Sequence, residues 1–120
     1  MLCAPITSQF AASEALNNGL THVTKMKDSY KKRRDFIVDR LNKMGLDCHL
    51  PGGAFYVFPD ISKTGMTSHE FALGLLKQQD VAAVPGDAFG SGGEGFVRCC
   101  YATAFEQIEI AMNRMERFLN

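Results

Sequence analysis

The chain reads as an α+β protein: a small mixed β-sheet covered by helices, with one long helix leading in. Three observations predict this class. Helix-period apolar stripes open and close the sequence, and short apolar runs between them are cut by Pro-Gly pairs. A further amphipathic stripe, from about 67 to 79, lies between two of those runs.

In order along the chain, residues 7–17 place Phe10, Ala11, Ala15 and Leu16 at helical spacing, and Gly19 follows as a stop. A longer helix is predicted from Thr21 to Met44. Its stripe is Val23, Met26, Tyr30, Ile37, Leu41 and Met44, and Gly45 closes it. The stripe thins around Arg33 and Arg34, which predicts a helix lying along a surface. Two strand-like runs follow, Leu46–Leu50 and Ala54–Phe58, separated by Pro51-Gly52-Gly53. Thr67 or Ser68 then caps a helix through Gln79, with Glu70 in its first turn and Phe71, Leu75 and Leu76 facing inward. Val81–Val84 reads as a buried strand ended by Pro85-Gly86, Gly90–Gly95 as a flexible loop, and Phe96–Tyr101 as another strand. Thr103 with Glu106 predicts a capping box for a last helix whose stripe is Ile108, Met112, Met115 and Leu119. The stretch from Phe55 to Val84 predicts a right-handed crossover joining parallel strands. The first helix precedes the compact part and has little of its own to pack on.

At 120 residues, the length suits one domain with a core large enough to need no disulfide or metal staple. Thirteen basic residues cancel thirteen acidic ones, which argues against a global binder of nucleic acid or anionic membrane. No apolar run approaches the ~18 residues of a bilayer span. The opening Met1-Leu2-Cys3-Ala4-Pro5 lacks a basic segment and a long apolar stretch, so a secretory leader is not expected. Cys3, Cys48, Cys99 and Cys100 fit no C-x-x-C or zinc spacing, and His22, His49 and His69 are scattered. Free thiols in a cytoplasmic protein, with no metal site, are the expectation.

Residues 25–34 hold six basic side chains against one acid, but Asp28, Asp35 and Asp39 punctuate the region at near-helical spacing from Lys32, Arg33 and Lys43. A solvated helix face with i,i+4 pairing is the better reading. Gly86–Gly95 is glycine-dense yet lacks both the G-x-G-x-x-G and the Walker patterns, and it leads into a strand rather than a helix. Ser62-Lys63-Thr64-Gly65 invites comparison with a Schiff-base lysine, but such a lysine must be partly desolvated. Lys63 lies instead in a polar turn after Pro59-Asp60. Arg98 is the most informative residue. Alternation puts it on one face with Phe96 and Cys100, where a guanidinium among apolar neighbours needs an anion. Its planar fork suits a carboxylate ligand, and an internal salt bridge to Asp87 or Glu94 would satisfy it equally well.

Pro51-Gly52-Gly53-Ala54-Phe55-Tyr56, then Val84-Pro85-Gly86 with Phe89-Gly90, then Gly95-Phe96-Val97-Arg98 occur in the order and spacing of one family. The chain resembles the C-terminal small domain of fold-type I, pyridoxal-phosphate-dependent aminotransferases of class I/II, over nearly its whole length. Residues 7–16 are similar to the helix after that family's cofactor-lysine region, 21–44 to its long interdomain helix, and 104–119 to its closing helix. The resemblance therefore divides the chain into 1–20, a helix left from the edge of the large domain, and 21–120, the small domain.

The resemblance implies that Arg98 grips and orients the α-carboxylate of an amino acid, and that Gly52, Gly53 and Phe55 help shape the substrate entrance. It implies a parent that moves an amino group between an amino acid and a 2-oxo acid, as a homodimer using pyridoxal phosphate. In the family the Schiff-base lysine, the aspartate on the pyridine nitrogen and the phosphate-binding residues lie upstream in the large domain. None maps onto this chain, and Lys63 does not occupy the lysine's place. No catalytic or cofactor-binding residue is thus expected here, and this polypeptide alone is expected not to transaminate. Two alternatives stay open: the small domain of a related lyase or synthase, or a free-standing binding or assembly module without catalysis.

Overall fold

The computed structural model describes residues 3–120; Met1 and Leu2, which open the segment where no secretory leader is expected, lie outside them. Helix α1 spans Ile6–Asn18 and α2 spans Leu20–Lys43; strand β1 is Tyr56–Val57; α3 is Ser68–Gln79; β2 is Val84–Pro85; β3 is Val97–Cys100; and α4 is Phe105–Leu119. The contacts divide the chain into a unit up to Lys31 and a second of Lys32–Asn120. No helix among the described residues is long and apolar enough to cross a membrane.

In the first unit, α1 buries no residue, and Phe10 and Leu16 are exposed at 72% and 88%. The sequence expectation of a helix with little to pack on holds.

The second unit has a single core. Ile37 and Leu41 of α2, Phe71 and Leu75 of α3, and Ile108, Met112 and Met115 of α4 are buried with Val57, Val97 and Cys99 of the sheet. Each large apolar side chain buried this way contributes about 1.5–3 kcal/mol. Leu76, expected inside, is 47% exposed, because α3 turns only the Phe71–Leu75 side to the core. Of the two candidate caps for α3, Thr67 is the one used, in a reciprocal box: Thr67 Oγ1 accepts the Glu70 N–H at 3.2 Å, and the Glu70 carboxylate accepts the Thr67 N–H at 2.9 Å. At the other end, Asp80 adopts a left-handed conformation and the Arg114 guanidinium donates to Gln79 O at 3.0 Å.

The sheet corrects one expectation. Its order is β1-β3-β2 and both pairings are antiparallel, with Tyr56 opposite Cys100, Val57 opposite Cys99, and Val84 opposite Arg98. The α3 connection does join strands running the same way, but β3 inserts between them, so no parallel pair forms among the described residues. Pro85 tolerates its place because β2 is an edge strand and needs no N–H on its open side.

Leu46–Leu50 is not a strand, although Leu46 and Cys48 are buried and their neighbours exposed as a strand would have them. Its ladder bonds go elsewhere. The Asn42 amide donates to Cys48 O at 3.1 Å and accepts the Cys48 N–H at 3.0 Å, and Asp60 N–H donates to Asp47 O at 2.9 Å. Val81–Ala83 is likewise unpaired, and the strand there shrinks to Val84–Pro85. At α4 the expected Thr103–Glu106 box does not form. The helix begins one residue later, with Ala104 O accepting from Gln107 and Ile108, which leaves Glu106 one position short of the box. Phe105, in the first helical position, packs on Phe36 with ring centroids 4.8 Å apart and fixes that start.

Candidate functional site: an arginine between two rings

Strand β3 alternates as the sequence predicts. Val97 and Cys99 point into the core, while Arg98 is half-buried and Cys100 exposed on the outer face. Among the described residues, no acid meets Arg98 there. The Arg98 guanidinium carbon stands 4.3 Å from the centroid of the Tyr56 ring and 4.4 Å from that of Phe89. Tyr56 comes from β1 and Phe89 from the turn after β2, so the rings reach Arg98 from opposite flanks of the central strand. Each ring is backed by another. Phe55 lies 4.5 Å from Tyr56, and Phe58 meets Phe89 edge-on at 5.7 Å.

Salt bridges from Arg98 to Asp87 or Glu94, the alternative to a ligand, are absent among the described residues. Glu94 is engaged elsewhere, its carboxylate accepting the N–H of Ser68 at 2.9 Å, at the positive end of α3. All five N–H donors of the Arg98 guanidinium are thus unused by the described residues. Quadrupole attraction to two rings favours the cation without using any of its N–H donors.

The glycine-rich segment before β3 is pinned to its neighbours at defined points. It forms two 3-10 turns, Gly86–Phe89 and Ser91–Gly93. A Cβ on Gly86 would sit 2.1 Å from Gly93 O and 2.7 Å from Phe96 O, and one on Gly93 would sit 2.0 Å from Gly86 O. Only two glycines allow the backbones to come this close. The fully buried Ser68 ties the same segment to α3, its Oγ accepting the Gly95 N–H at 2.9 Å. Gly86 N–H donates to Phe96 O at 2.9 Å. These bonds fix where β3 begins, and so where Arg98 stands.

On the other flank, residues 51–55 are held at both ends. The Arg34 guanidinium donates to Pro51 O at 3.1 Å, the Tyr101 hydroxyl to Ala54 O at 2.9 Å, and the Tyr101 N–H to Phe55 O at 2.9 Å. Ala54 is left-handed at φ 62°, a strained conformation that these bonds maintain. Gly52 and Gly53 are exposed with no atom within 4 Å of a built Cβ, and Phe55 is 39% exposed beside Tyr56.

Lys63 and the cysteines take their plainer readings. Lys63 pairs with Asp47 at 2.7 Å on the surface. In the basic run Lys32 rests over the Phe105 ring at 4.5 Å; farther along the helix Lys43 pairs with Asp39 at i,i+4 spacing, 2.7 Å apart. All four cysteines are free. Burial pushes the Cys48 thiol up to about 11 and the Cys99 thiol up to about 12, so both stay protonated and unreactive near neutral pH. No group of three or more His, Cys, Asp or Glu side chains among the described residues is placed to hold a metal.

Sequence reasoning does not single out Tyr56 and Phe89 as site residues. Both lie in the glycine-bearing motifs, but only the sheet order shows that they converge on Arg98.

The sequence model of the family described as aminotransferase class I and II matches residues 1–115. YugH of Bacillus subtilis (strain 168), which carries an aminotransferase name, is 56% identical over 120 residues, covering 100% of this chain and 31% of that protein. The aspartate aminotransferase of Pyrococcus abyssi is 49% identical over 118 residues, 96% of this chain and 30% of that protein. The crystal structure of an aromatic aminotransferase from Pyrococcus horikoshii matches with a TM-score of 0.88 at 50% identity, over 91% of this chain and 30% of that one. The chain therefore spans about 30% of the length of the relatives it matches.

Proposed function

Because the chain belongs to the class I and II aminotransferases, we propose that it is the C-terminal small domain of one, and that Arg98 holds the α-carboxylate of its substrate. The observation that carries this reading is the Arg98 guanidinium, half-buried between two rings with no donor used by the described residues. A carboxylate accepting two parallel N–H bonds from that edge would fix the amino acid's orientation, a positioning contribution to the rate. Phe55, Gly52 and Gly53 stand on the flank where such a substrate enters.

Pyridoxal phosphate, the family's cofactor, supplies an electron sink when bound. The residues here do not fit it unaided. Every lysine among the described residues is exposed, and Lys63 and Lys43 are in surface ion pairs, so none is desolvated as a Schiff-base lysine must be. The remaining polypeptide of the parent would hold the cofactor, and the parent would act as a cytoplasmic homodimer. Relatives of nearly equal identity are named for aspartate and for aromatic substrates. Arg98 accordingly accounts for the carboxylate end alone, which is common to all amino acids.

In the full-length enzyme, transfer of an amino group to a 2-oxo acid acceptor is expected. Arg98→Lys should raise KM and lower kcat/KM by about 10–100-fold, since a point charge cannot reproduce the charged fork. Unchanged kinetics would refute the assignment. The isolated chain, mixed with pyridoxal phosphate and borohydride, should retain no pyridoxyl group on a specific lysine; stoichiometric labelling of one lysine would refute that part.

A further inference from the structure

We infer that Tyr56 and Phe89 are positioning residues for substrate binding, acting through Arg98 rather than on the substrate. This rests on the carboxylate reading of Arg98. An arginine side chain has several rotatable bonds, and an unpaired guanidinium would ordinarily sample many directions. Here its terminal carbon is held at 4.3 Å and 4.4 Å by rings from opposite flanks, and Phe55 and Phe58 keep those rings from swinging away. The arrangement does three things. It orders the cation before the ligand arrives, so less freedom is lost on binding. It flanks the guanidinium on two sides without using its N–H donors, so those donors stay available to a carboxylate. It also surrounds the charge with apolar surface, where an ion pair is stronger than in open water. An acidic residue could not replace the rings, because it would compete with the substrate for the same donors.

The chemistry predicts which atoms matter. The rings act through their faces, so the Tyr56 hydroxyl is dispensable and a hydroxyl added to Phe89 is tolerated. In the full-length enzyme, Tyr56→Leu and Phe89→Leu should each raise KM roughly three- to thirtyfold with kcat little changed, while Tyr56→Phe and Phe89→Tyr stay near the parent. A 2-methyl amino acid, which has no Cα proton to lose, reports binding alone, and its Kd should rise by the same factor. In an Arg98→Leu background the ring substitutions should change that Kd less than twofold, since they have nothing left to orient. A merely structural role would weaken binding equally in both backgrounds. Tyr56→Phe as damaging as Tyr56→Leu, or ring effects that persist without Arg98, would overturn the inference. An Arg98→Lys enzyme with normal KM would instead defeat the carboxylate reading on which it depends. Thermal unfolding of each variant identifies any that fails to fold, and Phe89, 52% exposed, is the safer of the two sites.

Discussion

Arg98 and Cys99 are neighbours on one strand with opposite needs. The thiol is sealed in the core, and burial pushes it up to about 12; the Cys48 thiol is pushed up to about 11. An ordinary thiol in the unfolded chain loses its proton near pH 9. The folded state therefore holds protons that the unfolded state gives up, and this stabilisation is intact below about pH 9 and lost as pH rises toward 11–12. The denaturation midpoint of this domain should fall steeply between pH 9 and 11. The double variant Cys48→Ala, Cys99→Ala should be less stable at pH 7 but show a shallower fall, leaving the smaller part due to Tyr101, also raised by burial. An unaltered pH slope would show that these thiols do not titrate as buried groups. Arg98 was legible in the sequence, because a lone cation in an apolar strand is conspicuous. Its partners were not, because cation–π contacts join residues from three separate segments and leave no local pattern.

The elements read well where a local rule acted alone. The Thr67–Glu70 cap and the stripes of α3 and α4 follow from short-range spacing. The misreadings arose where a side chain took over a backbone role or packing moved a boundary: Asn42 bonds replaced a ladder at Leu46–Leu50, and Phe105 packing displaced the start of α4. Strand order was illegible for a similar reason, since a right-handed crossover predicts direction but not what inserts between its strands. Two kinds of glycine are also distinguishable only in three dimensions. Gly86→Ala must drive a methyl into backbone oxygens and should cost about 2–3 kcal/mol, with impaired substrate binding through a displaced Arg98. Gly53→Ala meets open space and should leave stability within about 1 kcal/mol of the parent. Urea unfolding of the two variants checks this; equal losses would mean that the close approach at Gly86 is not sustained. Any rise in KM for Gly53→Ala would then report on what lies against the loop in the whole enzyme.

At the scale of the molecule, size and composition described an ordinary domain, and the core of residues 32–120 agrees with that. The family motifs supplied what composition could not, since the chain spans about 30% of the length of the relatives it matches. Amides of α1, which buries no side chain, should exchange with solvent nearly unprotected in the isolated chain, while those of β3 and the buried face of α4 should exchange slowly. Strong protection of α1 would show that it is stabilised without partners.

The tie between Ser68 and Gly95 has an arithmetic consequence. Side chains on a strand change sides with every residue, so the length of chain between that tie and Arg98 has a parity. One inserted residue between Gly95 and Val97 would turn the cation toward the core and Val97 and Cys99 outward, costing both stability and the proposed carboxylate contact. Two inserted residues would restore the facing but carry the guanidinium about 7 Å along the strand, away from both rings. The proposed carboxylate contact and the fold are thus written in the same count of residues, and neither can drift without the other.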